Sequence, residues 1–152
     1  MRFIFVESGG SVTLYNEVFT LFINKVNDYQ LLSMEETEIE DICCLYLKSA
    51  VTKFKKCKTN LTRDDNAMVF LHTLSDEEKE ILANLIMIEW LTPKIQNITN
   101  LKQYMGDTDF KFFSQANHLD ALQRVRNATI EETDGLIQDY LWNFEVDIEE
   151  LI

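Results

Sequence analysis

The chain has 152 residues, 46% of them hydrophobic and 26% charged, with four glycines and one proline. That length suits one domain with a sizeable core, and the composition excludes a disordered chain, a collagen-like chain and an all-β fold with many tight turns. Fourteen Lys and Arg against 26 Asp and Glu leave a formal charge of −12, so the surface as a whole is unsuited to wrapping a nucleic-acid backbone, where affinity comes from basic groups neutralising phosphates.

Residues 1–10 are expected to be a flexible extension. Phe3–Val6 is apolar for only four residues before Glu7, too short for an export signal, and no run approaches the roughly 18 apolar residues of a spanning helix. Ser11 to about Asn27 is predicted as the first helix, with Ser11 as its cap and Gly9-Gly10 as a joint before it. Tyr15, Val18, Phe19, Phe22 and Val26 recur at steps of three and four and form its apolar face. Ser33-Met34-Glu35-Glu36 has the pattern of a capping box and predicts a second helix. Its apolar stripe is Ile39, Ile42, Cys43, Tyr46, Ala50, Val51, Phe54 and Cys57. Acidic side chains gather at its start and lysines at its end, in the order that suits the helix dipole.

Asn60 to Thr73 reads as a connector with a turn at Asp64-Asp65-Asn66. The short apolar run Ala67–Leu71 suits an extended segment that could pair with Phe3–Val6. A second capping box, Ser75-Asp76-Glu77-Glu78, starts a helix that is apolar nearly all round from Ile81 to Leu91, the pattern of a helix buried at the centre of a bundle. Leu85, Ile86 and Trp90 are expected in the core. Thr92-Pro93 should end or kink this helix, and Lys94–Tyr104 should resume it. After an aromatic turn at Phe110–Ser114, a long helix is predicted from Gln115 to Phe144, with a polar stretch at Asn127–Gly135 as a break or an exposed segment. The expected architecture is all-α: a bundle of four to five helices over residues 11–144, with a long C-terminal helix, a flexible extension at 1–10 and a flexible acidic and apolar tail at 145–152.

Chemistry-bearing motifs are few. His72 and His118 are 46 residues apart, and Cys43, Cys44 and Cys57 form no C-x-x-C pair; free thiols in a reducing cytoplasm are expected. No metal-ligand spacing, phosphate-binding glycine loop or nucleophile elbow occurs. Glu89 inside an apolar helix could be a buried carboxylate with a raised pKa, but reads more simply as a solvent-facing or partner-facing position. The sequons at Asn60, Asn97 and Asn127 carry no weight without an export signal. We therefore expect no enzyme, no cofactor and no metal.

Two segments are candidates for contact with a partner or a neighbouring subunit. Residues 48–63 contain Lys48, Lys53, Lys55, Lys56, Lys58 and Arg63 and no acidic side chain, +6 within a chain of −12. They suit either a solvated helix end or a socket for an acidic partner, a second copy included. Residues 145–152 interleave Glu145, Asp147, Glu149 and Glu150 with Val146, Ile148, Leu151 and Ile152. That alternation suits a frayed end or a segment that lies along a partner as a strand or short helix.

The order of several of these segments resembles a known family. The run Tyr15–Val26 leads to a helix ending Leu45–Phe54. Leu74–Leu82, then Glu89-Trp90-Leu91-Thr92-Pro93-Lys94-Ile95, and finally Phe113–Leu122 at the head of a long helix complete the pattern. Over residues 14 to 142 it looks like the helical head–tail connector (adaptor) proteins of tailed bacteriophages, in particular those of Gram-positive hosts. The resemblance rests on pattern, not on a chemical motif. It implies a structural virion protein at the capsid–tail junction, assembled in the host cytoplasm as a ring beneath the portal protein. Such a ring joins capsid to tail and presents a surface to the next connector (stopper) or tail-completion protein. DNA passes nearby without specific binding and no membrane is involved. In that family the long C-terminal helix and tail lie against the portal. The alternative from another class is a small acidic protein that mimics DNA and inhibits a nuclease or DNA-binding enzyme; its warrant is the net charge, and the concentration of positive charge at 48–63 disfavours it.

Overall fold

A computed structural model of the chain describes residues 11–26, 29–105 and 115–150. The described residues form an all-α bundle with a small three-stranded patch at one side. In chain order the elements are β1 (Thr13–Leu14), α1 (Tyr15–Lys25), α2 (Tyr29–Leu32), α3 (Glu36–Lys53), β2 (Arg63–Asp64), β3 (Val69–Phe70), α4 (Asp76–Met105) and α5 (Gln115–Glu150). Helix α4 is the centre, and α1, α3 and α5 all pack against it. Every residue from Ile81 to Met87 is buried, as expected of a stretch with apolar side chains on all sides.

The face of α1 is the predicted one: Tyr15, Val18, Phe19, Phe22 and, just past the helix, Val26 are all in the core. The helix starts later than its sequence suggests. Ser11 is not its cap; Thr13-Leu14 is a strand, and the Glu17 carboxylate accepts the Leu14 N–H at 2.8 Å. Likewise α3 starts at Glu36, not after Ser33, with Glu35 at its cap position and no side-chain cap. The buried Leu31 lies in a separate helical turn, α2, just before it. The buried line of α3 and its end is Cys43, Leu47, Ala50 and Phe54, so the stripe includes Leu47, which the predicted stripe omits.

The apolar run at 67–71 does contain a strand, but its partners differ from the expected one. β3 lies between β1 and β2, antiparallel to both, with Thr13 opposite Phe70, Arg63 opposite Phe70 and Asp64 opposite Val69. The predicted partner Phe3–Val6 falls outside the described residues, as do the rest of the 1–10 extension, the aromatic turn Phe110–Ser114, and Leu151 and Ile152. Asp64 accepts the N–H groups of Asn66 and Ala67 and closes the predicted turn. Met68 follows with φ 57, in the left-handed region, and its carbonyl accepts the Tyr15 N–H at 2.9 Å. This bond ties the strand patch to the start of α1.

Pro93 does not end α4, which runs from Asp76 to Met105 with Pro93 inside it. Proline costs one helical hydrogen bond, and packing on both sides outweighs that loss. Trp90 and Leu91 are buried before it, and Ile95 and Ile98 are half-buried after it. The Thr92 hydroxyl donates to the Ile88 carbonyl at 2.8 Å. Gly135 does not break α5 either. Within the polar stretch, Thr129 and Thr133 turn their hydroxyls back on the Val125 and Thr129 carbonyls, and Thr133 is buried. The α5 backbone stays helical six residues beyond Phe144. Alternation of period two has no single face in a helix, so the strand-like pattern of 145–150 is not what their backbone adopts.

Candidate functional site: the basic turn and the end of the long helix

Helices α4 and α5 run antiparallel in a fixed register. Tyr140 meets Glu78, and fourteen residues away along both helices Arg126 meets Thr92. Asp76, the first residue of α4, is therefore level with residue 142, and α5 continues to Glu150. Eight residues of helix extend about 12 Å further.

What fixes this end of the bundle is a single carboxylate. Glu78 completes the predicted capping box: its Oε2 accepts the Ser75 N–H at 2.9 Å, and its own N–H donates to the Ser75 hydroxyl at 3.2 Å. Its Oε1 does more, accepting the Tyr140 hydroxyl at 2.7 Å and the Thr59 hydroxyl at 2.8 Å. Tyr140 in turn accepts the Lys58 N–H at 2.7 Å, and its ring lies 5.8 Å from that of Phe54. Glu78 is 2% exposed. Burial works against its charge, but the bonds from Tyr140, Ser75 and Thr59 prevail and hold its carboxyl below the ordinary range. Burial, reinforced by the Glu78 charge, pushes Tyr140 upward.

The same cause decides the chemistry of Cys57. Burial first, and then the neighbouring Glu78, raise its thiol to about 12. Burial raises Cys43 to about 12 as well. A nucleophilic cysteine needs the opposite surroundings. The side chains that act on Cys57 are Glu78 and Tyr140. Among the described residues no group of three His, Cys, Asp or Glu side chains could hold a metal ion, and no helix is long and apolar enough to cross a membrane.

The basic cluster is less uniform in space than in sequence. Lys48, Lys53, Lys55, Lys56 and Lys58 are exposed, and Arg63 is half-buried. Lys53, however, is hydrogen-bonded to Glu89 of α4, and Arg63 lies 3.5 Å from Asp65. Glu89 is thus a partner of Lys53 across the helix pair. Lys55 and Lys56 head the exposed turn after α3, and the bond from the Lys58 N–H to Tyr140 sets that turn beside the last part of α5. The fold therefore brings the two candidate segments, 48–63 and 145–150, to one end of the bundle. The backbone of Glu145, Val146, Asp147, Ile148, Glu149 and Glu150 belongs to α5; their side chains lie outside the description.

A third feature at this end escaped the sequence reading. Trp142 is 67% exposed, two residues from buried Tyr140. It sits off the stripe formed by Leu136, Ile137, Tyr140 and Leu141, and a large aromatic off its helix's apolar face is the signal that could have marked it.

Compared with protein-family models, with curated proteins and with solved structures, the chain has no match in any of the three.

Proposed function

We propose that the protein is a non-enzymatic assembly component, a head–tail connector that forms a ring beneath a portal protein and joins capsid to tail. The family part of this reading rests on the resemblance of the segments at 14–142. The observation that carries the assembly part is that the basic turn and the segment bearing the acidic residues lie at one end of the bundle. Subunits of a closed ring stand at one height, so complementary patches must lie at the same level of each copy. Here the Lys55–Lys58 turn and the α5 segment that carries the acidic residues lie toward the same end of the bundle, and exposed Trp142 of α5 offers an apolar anchor there. Patches at opposite ends would stack copies into a filament instead. The overhanging end of α5 is then the part that reaches a neighbour or the portal, and the net negative charge lets DNA pass without sticking. Retention or passage of DNA is the task the resemblance implies for such a ring.

Electron microscopy of the purified protein, alone and with a portal protein encoded beside it, tests the proposal. Rings on the portal are expected. Lys55→Glu with Lys56→Glu should weaken them, as should high salt on the wild type. Lys53 is a poor choice for this test, because Lys53→Glu would set a second carboxylate against Glu89. Truncation after Phe144 should leave folding intact and remove attachment. A protein that stays monomeric with the portal present, or a truncated chain that attaches with full affinity, would sink the reading.

A further inference from the structure

The structure points to a small-molecule oxyanion site in the groove between α4 and α5, far along the helix pair from the basic turn. The groove has a volume of about 470 Å³ and is lined by Thr92, Ile95 and Gln96 of α4 and by Gln123, Arg126 and Asn127 of α5. That size is ordinary for a small-molecule site. The chain carries 26 acidic residues, yet among the described residues the only charged side chain lining this groove is a guanidinium.

Arg126 is half-buried and held in place. Its Nε donates to the Thr92 hydroxyl at 3.2 Å, and that hydroxyl spends its own proton on the Ile88 carbonyl at 2.8 Å. The hydroxyl can therefore only accept from Arg126, which fixes the direction of the guanidinium. An arginine has five N–H donors; among the described residues only the one on Nε has an acceptor. The ends of the fork are left for a ligand. A phosphate or a carboxylate matches that fork with two parallel hydrogen bonds. The amides of Gln123 and Asn127 can donate to further oxygens. Gln96 gives one amide N–H to Asn100 at 2.9 Å and retains a second. We propose that this groove binds a phosphate or carboxylate group carried on a small molecule, with Arg126 as the binding residue and Thr92 as the residue that orients it. The inference stands apart from the connector reading and does not depend on it.

The test is an NMR titration of the full chain with inorganic phosphate and, separately, with acetate, at constant ionic strength. The readout is the Arg126 Nε–H signal together with the side-chain amides of Gln123 and Asn127. Saturable shifts are expected within roughly tens of millimolar, the range for one small ion without a carrier molecule. Saturation by phosphate alone assigns a phosphate ligand, and saturation by acetate alone a carboxylate. With both, the tighter names the source. Arg126→Gln should weaken binding about tenfold or more while its amide spectrum stays that of a folded protein. Thr92→Val keeps the volume, frees the guanidinium and should weaken binding several-fold; it decides the matter if Arg126→Gln does not fold. No saturable shift with either anion, or equal affinity in wild type and variant, overturns the site.

Discussion

The two halves of α4 share one continuous backbone but meet different surroundings. From Ile81 to Leu91 the helix is enclosed by α1, α3 and α5, with only Ile88 and Glu89 half-buried. From Gln96 to Tyr104 only Ile98 and Thr99 are half-buried, and Tyr104 is 91% exposed. The facing part of α5 buries Leu119 and little else. Helix continuity thus says nothing about where stability resides. An isolated helix is marginal in water, and burial of side chains decides which stretch resists opening. The inner half supplies the fold, and the outer half, with the Arg126 groove near its beginning, supplies surface.

The sharpest way to break this comparison is to truncate one large residue in each half. Trp90 is 7% exposed, 6.0 Å from the Phe22 ring, with Lys94 4.5 Å above it. Trp90→Ala should destabilise by about 3–5 kcal/mol in a denaturant titration, and Leu101→Ala by less than about 0.5 kcal/mol. Equal losses would mean that the outer half is as much a part of the core. Next in size is Glu78→Gln, which keeps the shape but turns an amide donor toward groups that donate to it. We expect a loss of about 2 kcal/mol from the inner half alone.

Titration probes the fold without mutation, because the shifted groups lie around the first turn of α4 and on the elements and loops packed near the inner half. Glu78 is held below its ordinary 4.5, and Asp65, bonded by Tyr15, is lowered too. Folding therefore favours their charged forms; that stability is present above about pH 4.5 and is lost as pH falls through the lower folded values. Cys57 is raised from 9.0 to about 12, and Tyr15 and Tyr140 are raised as well. Their contribution is present below about pH 9 and is lost as pH rises beyond it. The melting temperature should be flat between about pH 5 and 8.5 and fall on both sides. Glu78→Gln should flatten the acid limb, and a wild-type protein that grows more stable below pH 4 would contradict the assignment.

Smaller effects follow. Asn84 is fully buried in α4, and neither amide atom has a hydrogen-bond partner. An unsatisfied buried amide is costly, so Asn84→Leu should stabilise by about 1 kcal/mol, measured as a shift of the denaturation midpoint. Gly135 lies inside α5, and a methyl group there would meet nothing within 4 Å. Gly135→Ala should add about 0.5–1 kcal/mol.

Much of the inner half was legible in the sequence because its signals were local and mutually consistent. The α1 face, the capping box at Ser75 and the apolar run after it all appear where expected. What failed were boundaries that tertiary packing decides. Ser33 carries the same box pattern as Ser75, yet α3 starts at Glu36, whereas the Ser75 box stands directly at the head of α4. Pro93 reads as an end or a kink, and packing of the residues around it carries the helix on through the predicted stretch to Tyr104. The partners of Val69-Phe70 could not be read from an apolar run that names no neighbour. The candidate interface was half legible: a window of six basic residues is visible in one dimension, whereas Glu89, 36 residues away in sequence from Lys53, is not. Arg126 gave no signal, since a single arginine in a polar helix becomes a site only when another helix forms the opposite wall.

The carboxylate of Glu78 also sets an order of events in folding. Its bonds to Ser75 span three residues and can form as soon as α4 nucleates. Its bond to Tyr140 closes a loop of 62 residues, whose entropy must be lost before the contact brings any gain. A cap that is complete in every native molecule is therefore only half made in the early helix, and the arrival of α5 completes it. Ser75→Ala should slow refolding, with a φ-value near one, whereas Tyr140→Phe should mainly speed unfolding, with a φ-value near zero. One side chain thus records both the first and the last step of assembling the bundle.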